Sequence, residues 1–419
     1  MRKITVLFCI VLLLVLVSPS SLANDKVLDI VWANESSVES EVFQQIIDEY
    51  EQMNPDIKIN LIVVPFSELD NKVTTMTIGG EAPDIARMSN INKLSPLLLD
   101  LNNYLGEDGK KDLYDNFLET NREWAYQNER QVAIPIDVTA HGLFYNKDYF
   151  EEAGVEVPTK PSDLEDLWTW DEFEAALRKV IDNSNAKYGL VLDASPYRWG
   201  TLLYQAGGKF ANEDWTEMTV ESSEGERAIS YFVSLHDKGI MPKSVWLGGE
   251  NASTLFRSGI VAAHLGVNVM ISDYQENIEN FNWGVAYMPW EERRSSVPGG
   301  KYIASFKEAK YPEEAVDFIK YFTSKEVNTK FCQATLTMSP RLDAEVDYGA
   351  VSDYMDIFAN ELKVTSSDPV NDWSSNAVLG SIYSDIKRVV VEAVNHDLTA
   401  KEATQLLDRI GNESIEKLK

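Results

Sequence analysis

The 419-residue chain is 44% hydrophobic and 25% charged, a folding composition long enough for two or three domains, which excludes long disorder and collagen-like repeats. Its 38 basic residues against 67 acidic ones leave a net charge of −29. That balance excludes a broad basic face for nucleic acid or an anionic membrane surface, though not a small basic pocket.

Arg2 and Lys3, the apolar run Val6–Val17 and the small residues of Ser21-Leu22-Ala23 predict a secretory signal peptide over residues 1–23, cleaved near Ala23. The run is too short to span a bilayer. Cys9 lies within it and away from the cleavage point, which argues against a lipid anchor. Cys332 is then the single mature cysteine, so no intramolecular disulfide can form, and its place in an amphipathic run marks it as a packed residue. His141, His236, His264 and His396 lack ligand spacing, and no HExxH, CxxC or EF-hand loop occurs. No metal and no other cofactor is expected.

Val27–Trp32 reads as a strand, and Ser36-Ser37-Val38-Glu39 as a capping box opening a helix that ends at Asn54-Pro55. Ile57–Val64 is a second strand, Leu69, Val73 and Met76 mark a second helix, and a third strand begins at Pro83-Asp84-Ile85-Ala86. Further strands are expected at Leu143–Tyr145, Tyr188–Leu192, Val261–Leu265 and Trp283–Met288. Helices are expected at Asn146–Ala153, Trp170–Ile181, Tyr197–Gln205, Glu224–Lys238 and from Pro312 onward. Such alternation implies βαβ units and mostly parallel sheets covered by helices. No repeat of 20–50 residues is present.

Five stretches, in order, resemble the extracellular solute-binding proteins of ABC importers, in particular the sugar-binding group that includes maltose-binding protein. They are Ile30–Asn34 with Pro55–Ile59, Gly79–Ile85, Ile134-Pro135 with Leu143–Phe150 and Ala153-Gly154, Phe256–Ala263, and Gly299-Gly300 with Tyr311–Ala315. Each is weak alone, and the likeness covers essentially the whole mature chain. The resemblance implies a two-lobe α/β fold with three hinge crossings, near Ile136–Thr139, Pro298–Ile303 and Met338–Leu342. It divides the chain into an N-terminal lobe of 24–137 plus 300–340 and a C-terminal lobe of 138–299 plus 341–419. It also implies a periplasmic monomer that captures a sugar between its lobes and passes it to ABC permease subunits in the inner membrane.

Sugars present hydroxyls at their edges and C–H groups on their faces, so their sites combine aromatic platforms with polar side chains. Ten tryptophans and eighteen tyrosines suit that chemistry. By position against the family motifs, the expected contacts begin with Asn34, Glu35 and Ser36 after the first strand, where a helix cap is an equal reading. Phe66 follows the second strand, and Ser89 and Asn90 follow the third, whereas Asp84 is assigned a local backbone role. Asp137 and Thr139 lie at the first crossing, either facing the cleft or bonding across the hinge. Tyr197 and Trp199 are the leading aromatic platforms. Asn268 stands where many relatives carry a tryptophan, which puts a maltodextrin-like specificity in doubt. Gly299 and Gly300 allow close backbone approach to a ligand or simply form a hinge turn. Arg341 follows Pro340 at the third crossing, and Trp373 is a candidate lid.

An acidic sugar would reconcile Arg198 and Arg341 with this reading, and Arg293-Arg294 is expected to be a solvated loop. Two rivals remain: a binding protein for another solute, such as a polyamine or phosphate ester, and a secreted carbohydrate-active enzyme. Glycoside hydrolysis needs two carboxylates across the scissile bond. No GxSxG elbow, Walker loop or GxGxxG motif supports catalysis.

Overall fold

Alternation along the first strand decides how the N-terminal half packs. In this computed structural model, which describes residues 26–33, 37–65, 68–89, 91–163, 166–374 and 377–418, strand β1 (Lys26–Ala33) is buried on both faces. Leu28, Ile30 and Trp32 join one core with Val42, Phe43, Ile46 and Tyr50 of helix Ser37–Met53. Val31 and Ala33 join another with Leu69 and Val73 of helix Leu69–Ile78. That is the period of two expected of a strand covered on both sides. Trp32 stacks on Phe43 with centroids 3.8 Å apart, a contact worth about 0.5–1.5 kcal/mol beyond its burial.

Strands β2 (Ile57–Val64) and β3 (Ile85–Met88) flank β1 in parallel. Asp84 holds the entry to β3: its carboxylate accepts from the backbone N–H of Asp29 and of Tyr311, both at 2.9 Å. This is the local role expected of it. A small hairpin, β4 (Tyr126–Gln127) with β5 (Arg130–Gln131), turns through Asn128 and Glu129, both at positive φ.

The chain then changes sheets. Strand β6 (Ile134–Thr139) belongs to the first sheet and β7 (His141–Asn146) to the second, with Ala140 alone between them. Strands β8 (Tyr188–Leu192), β9 (Val261–Val267) and β10 (Trp283–Ala286) complete the second sheet in the order β10-β7-β9-β8. Strand β11 (Gly299–Ser305) returns to the first, giving β2-β1-β3-β11-β6. The parallel pairs are those of β1 with β2 and β3, and of β8 with β9. The strands that carry the chain between sheets, β6, β7 and β11, pair antiparallel with their neighbours.

A third crossing lies near residue 340. Val138 N–H donates to Met338 O at 2.8 Å, Leu118 N–H to Pro340 O at 2.8 Å, and Leu342 N–H to Asn116 O at 2.7 Å. Helix Pro312–Phe322 starts on its proline, as expected, and Cys332 is buried on helix Lys325–Thr335, where burial pushes its thiol pKa up. Arg293 and Arg294 are not a solvated loop. Arg293 pairs with Asp368 at 2.7 Å, and Arg294 pairs with the buried Glu361 at 3.0 Å. Among the described residues no helix is long and apolar enough to cross a membrane.

Candidate functional site

A cavity of about 440 Å³ opens where the crossing strands meet the facing ends of both sheets. From the side of the first sheet come Asp70, Ser89, Ile91 and Trp124; the crossings give Thr139 and Val297 to Lys301. From the second side come Tyr197, Arg198, Val267 and Val269, with Trp373, Gly380 and Tyr383 from the C-terminal helices. A larger, more open groove of about 610 Å³ lies elsewhere, around Tyr145, Lys147, Tyr287 and Tyr354. Its lining includes no residue of the first sheet, so it is not the interlobe site.

One wall is aromatic. The Tyr197 ring lies 4.4 Å from that of Trp373 and 5.4 Å from that of Tyr383, centroid to centroid, both tilted. Tyr197 sits in the first turn of helix Pro196–Gln205, which opens on proline. Trp373 rides on helix Ser367–Ser374 and leans edge-on against Phe210. Tyr383 begins helix Tyr383–Val394, its hydroxyl sharing a hydrogen bond with Ser195 Oγ at 3.0 Å. Burial pushes the Tyr197 and Tyr383 pKa values up, so both phenols are protonated and able to donate.

A buried polar chain lies behind Arg198. Its Nε donates to Asp193 Oδ2 at 3.3 Å, and its Nη1 bonds His141 Nε2. The same Asp193 oxygen lies 3.6 Å from His264 Nε2, and His264 Nδ1 contacts Tyr274 Oη at 2.5 Å. Burial, then the Arg198 charge, holds His141 well below the usual imidazole range, so it is neutral and accepts from Arg198. Burial works to raise the Asp193 pKa, but His264 and Arg198 outweigh it and hold the carboxyl below the usual range. Among the described residues no group of three metal-ligating side chains occurs.

Of the residues expected from the sequence, Ser89, Thr139, Tyr197, Gly299, Gly300 and Trp373 are brought together here. The glycines answer first to the hinge: a Cβ on Gly299 would meet Thr139 Oγ1 at 2.6 Å, and one on Gly300 would meet the Asp137 carbonyl oxygen at 2.5 Å. Asn34, Glu35, Ser36, Phe66 and Asn90 lie outside the described residues, as does the leader.

Four others are turned away. Trp199 is fully buried, edge-on to Phe210, because residues two apart on a helix point about 200° from each other and Tyr197 takes the cleft side. Asp137 faces into the first lobe, where it accepts from Lys301 N–H at 2.8 Å and lies 3.6 Å from Arg87 Nη2. The fully buried Asn268 accepts from Ala140 N–H at 2.9 Å and so braces the turn between β6 and β7. Arg341 is consumed by Asp112, Asp343 and the Thr323 carbonyl.

The sequence reading missed Asp70, Trp124, Lys301 and Tyr383 as lining residues. Lys301 directly follows the two glycines of the second crossing and was within reach of that argument. Tyr383 begins an amphipathic helix with no motif around it.

A family model described as bacterial extracellular solute-binding protein matches residues 34–329. An arabinooligosaccharide-binding protein of Halalkalibacterium halodurans is 23% identical over 320 residues, 72% of this chain and 69% of that one. The GacH receptor of Streptomyces glaucescens, solved unliganded and with acarbose, superposes with a TM-score of 0.80 at 21% identity, covering 93% of this chain and 99% of that one. An ABC substrate-binding protein of Listeria monocytogenes, solved with cycloalternan, gives 0.80 at 22% identity, covering 94% and 100%. At such identities these likenesses show the two-lobe α/β fold.

Proposed function

This chain belongs to the bacterial extracellular solute-binding protein family, and from that premise we propose that it captures a sugar or oligosaccharide between its lobes for an ABC importer. The observation that carries the reading is the aromatic wall of Tyr197, Trp373 and Tyr383, set across from Trp124 and rimmed by Ser89, Thr139 and the backbone of Gly299 and Gly300. Aromatic faces take the C–H surface of a sugar, and the polar rim takes its hydroxyls. Related proteins named for arabinooligosaccharide binding, or solved with acarbose or cycloalternan, support that class.

Lobes of 24–137 plus 300–340 and 138–299 plus 341–419 would close on the ligand by a hinge at the crossings. Ligand affinity for the closed form then shifts the population toward the shape a permease in the inner membrane accepts. The protein works as a periplasmic monomer after loss of residues 1–23, binding its sugar without converting it.

A thermal-shift screen of residues 24–419 against mono- and oligosaccharides, polyamines, amino acids and phosphate esters tests this. A rise of several degrees with one family of sugars, recovered unchanged, is expected. A response to a non-sugar solute alone refutes the sugar assignment, and release of product refutes simple binding.

A further inference from the structure

The cavity that holds the aromatic wall is bounded on two sides. Helices Ser367–Ser374 and Ala377–Ser381 carry Trp373 and Gly380 into its lining and pack on Glu119–Trp124 and Ile91–Leu94 opposite. Here the wall runs across from one side of the cleft to the other. The second boundary is Val269, which lines this cavity and also a smaller one of about 100 Å³. A residue with a place in both linings stands between them. The smaller cavity has Glu39 of helix Ser37–Met53 on one side and Asp273 of helix Met270–Asn277 on the other. There the two sides already touch, since Ser272 Oγ donates to the Thr335 carbonyl at 3.4 Å.

Volume sets what such a space can enclose. At ~30 Å³ per water in the liquid, a hexose unit displaces roughly six waters, about 180 Å³. The 440 Å³ of the main cavity therefore holds two units and not three, and the 100 Å³ beyond Val269 holds none. Joined at Val269, the two spaces would together approach three units. Val269 is half-buried in the turn after β9, and its neighbour Asn268 ties that turn to Ala140 N–H at 2.9 Å.

We propose that the cleft encloses a saccharide of one or two units and that Val269 is the residue that sets this limit. The inference rests on the sugar-binding reading above and narrows it.

The test is calorimetric titration of residues 24–419 with gluco-, galacto-, manno-, xylo- and arabino-oligosaccharides, each series from one to four units. In a series that binds, affinity should reach its maximum by two units and then stay level or fall, because a third unit finds no enclosing surface. Val269→Ala opens the way into the smaller cavity and should raise affinity for three units relative to two by about 3- to 10-fold. Val269→Thr, close to valine in volume, should leave that ratio unchanged. The unliganded melting temperature checks that both variants fold, and the wild-type series tests the limit without them. Wild-type affinity climbing about threefold or more from two units to three would overturn the inference and leave the sugar reading standing. A ratio unmoved by Val269→Ala, or moved as far by Val269→Thr, would overturn the role given to Val269. Binding of no member of any series would overturn the sugar reading as well.

Discussion

Trp373, which lines the cleft, follows directly on a buried carboxyl whose titration should be measurable. Asp372 accepts from Tyr204 Oη at 2.7 Å and from Phe210 N–H at 3.2 Å. Burial, the largest influence, raises its pKa from 3.8 to about 6, partly opposed by those two donors. A carboxyl whose folded pKa lies above its unfolded value binds more protons folded than unfolded, so stability falls as pH rises between the two. The cost is absent below pH 4 and fully developed above about pH 6. A shift of about two units corresponds to roughly 3 kcal/mol at neutral pH. Asp372→Asn keeps an oxygen for Tyr204 and Phe210 and cannot ionise. We expect urea unfolding to find it more stable than wild type by about 2–3 kcal/mol at pH 7.5, with the gain vanishing at pH 4. Other titrating groups cancel in that difference. A wild-type-minus-variant difference that does not change with pH would refute the reasoning.

Four further substitutions separate the cleft from its supports. Tyr197→Ala should shrink the ligand-induced rise in melting temperature, while Trp199→Ala should lower stability by about 3–5 kcal/mol and leave ligand affinity nearly intact, as read by unfolding and titration in parallel. Gly300→Ala places a Cβ at 2.5 Å from the Asp137 carbonyl, within the β6–β11 pairing; it should cost about 1–3 kcal/mol in urea unfolding and slow ligand capture in stopped-flow fluorescence. Arg341→Ala removes a buried guanidinium from two half-exposed carboxylates and the Thr323 carbonyl and should destabilise the fold by about 1–3 kcal/mol, with no loss of ligand affinity by titration.

Where the sequence was informative, it was through periodicity and punctuation. The β1 alternation and the proline at the start of helix Pro312–Phe322 are local patterns, and the structure keeps them. Tyr197 and Trp199 show where local pattern stops: only the docked face of their helix decides which ring meets the ligand. Asp137 and Arg341 sit at the crossings and Asn268 just beyond strand β9, yet each is spent on backbone or charge partners distant in sequence. His141 and His264 carry no ligand spacing, and adjacent strands β7 and β9 bring them to the same Arg198–Asp193 pair.

Motion is confined by the same contacts. Strand β6 is buried along its length and β11 lies inside the first sheet, so neither crossing strand can bend within it. Ala140 is held from both sides by Asn268, donating to its side-chain oxygen at 2.9 Å and accepting from its backbone N–H at 3.2 Å. Tyr197 and Arg198 travel with the second sheet, while Asp70, Ser89 and Trp124 stay with the first. Helices Ser367–Ser374 and Ala377–Ser381 touch Glu119–Trp124 and Ile91–Leu94 of the first lobe. Opening the cleft must break those contacts, so the helix that carries Trp373 both supplies the aromatic wall and joins the two sides.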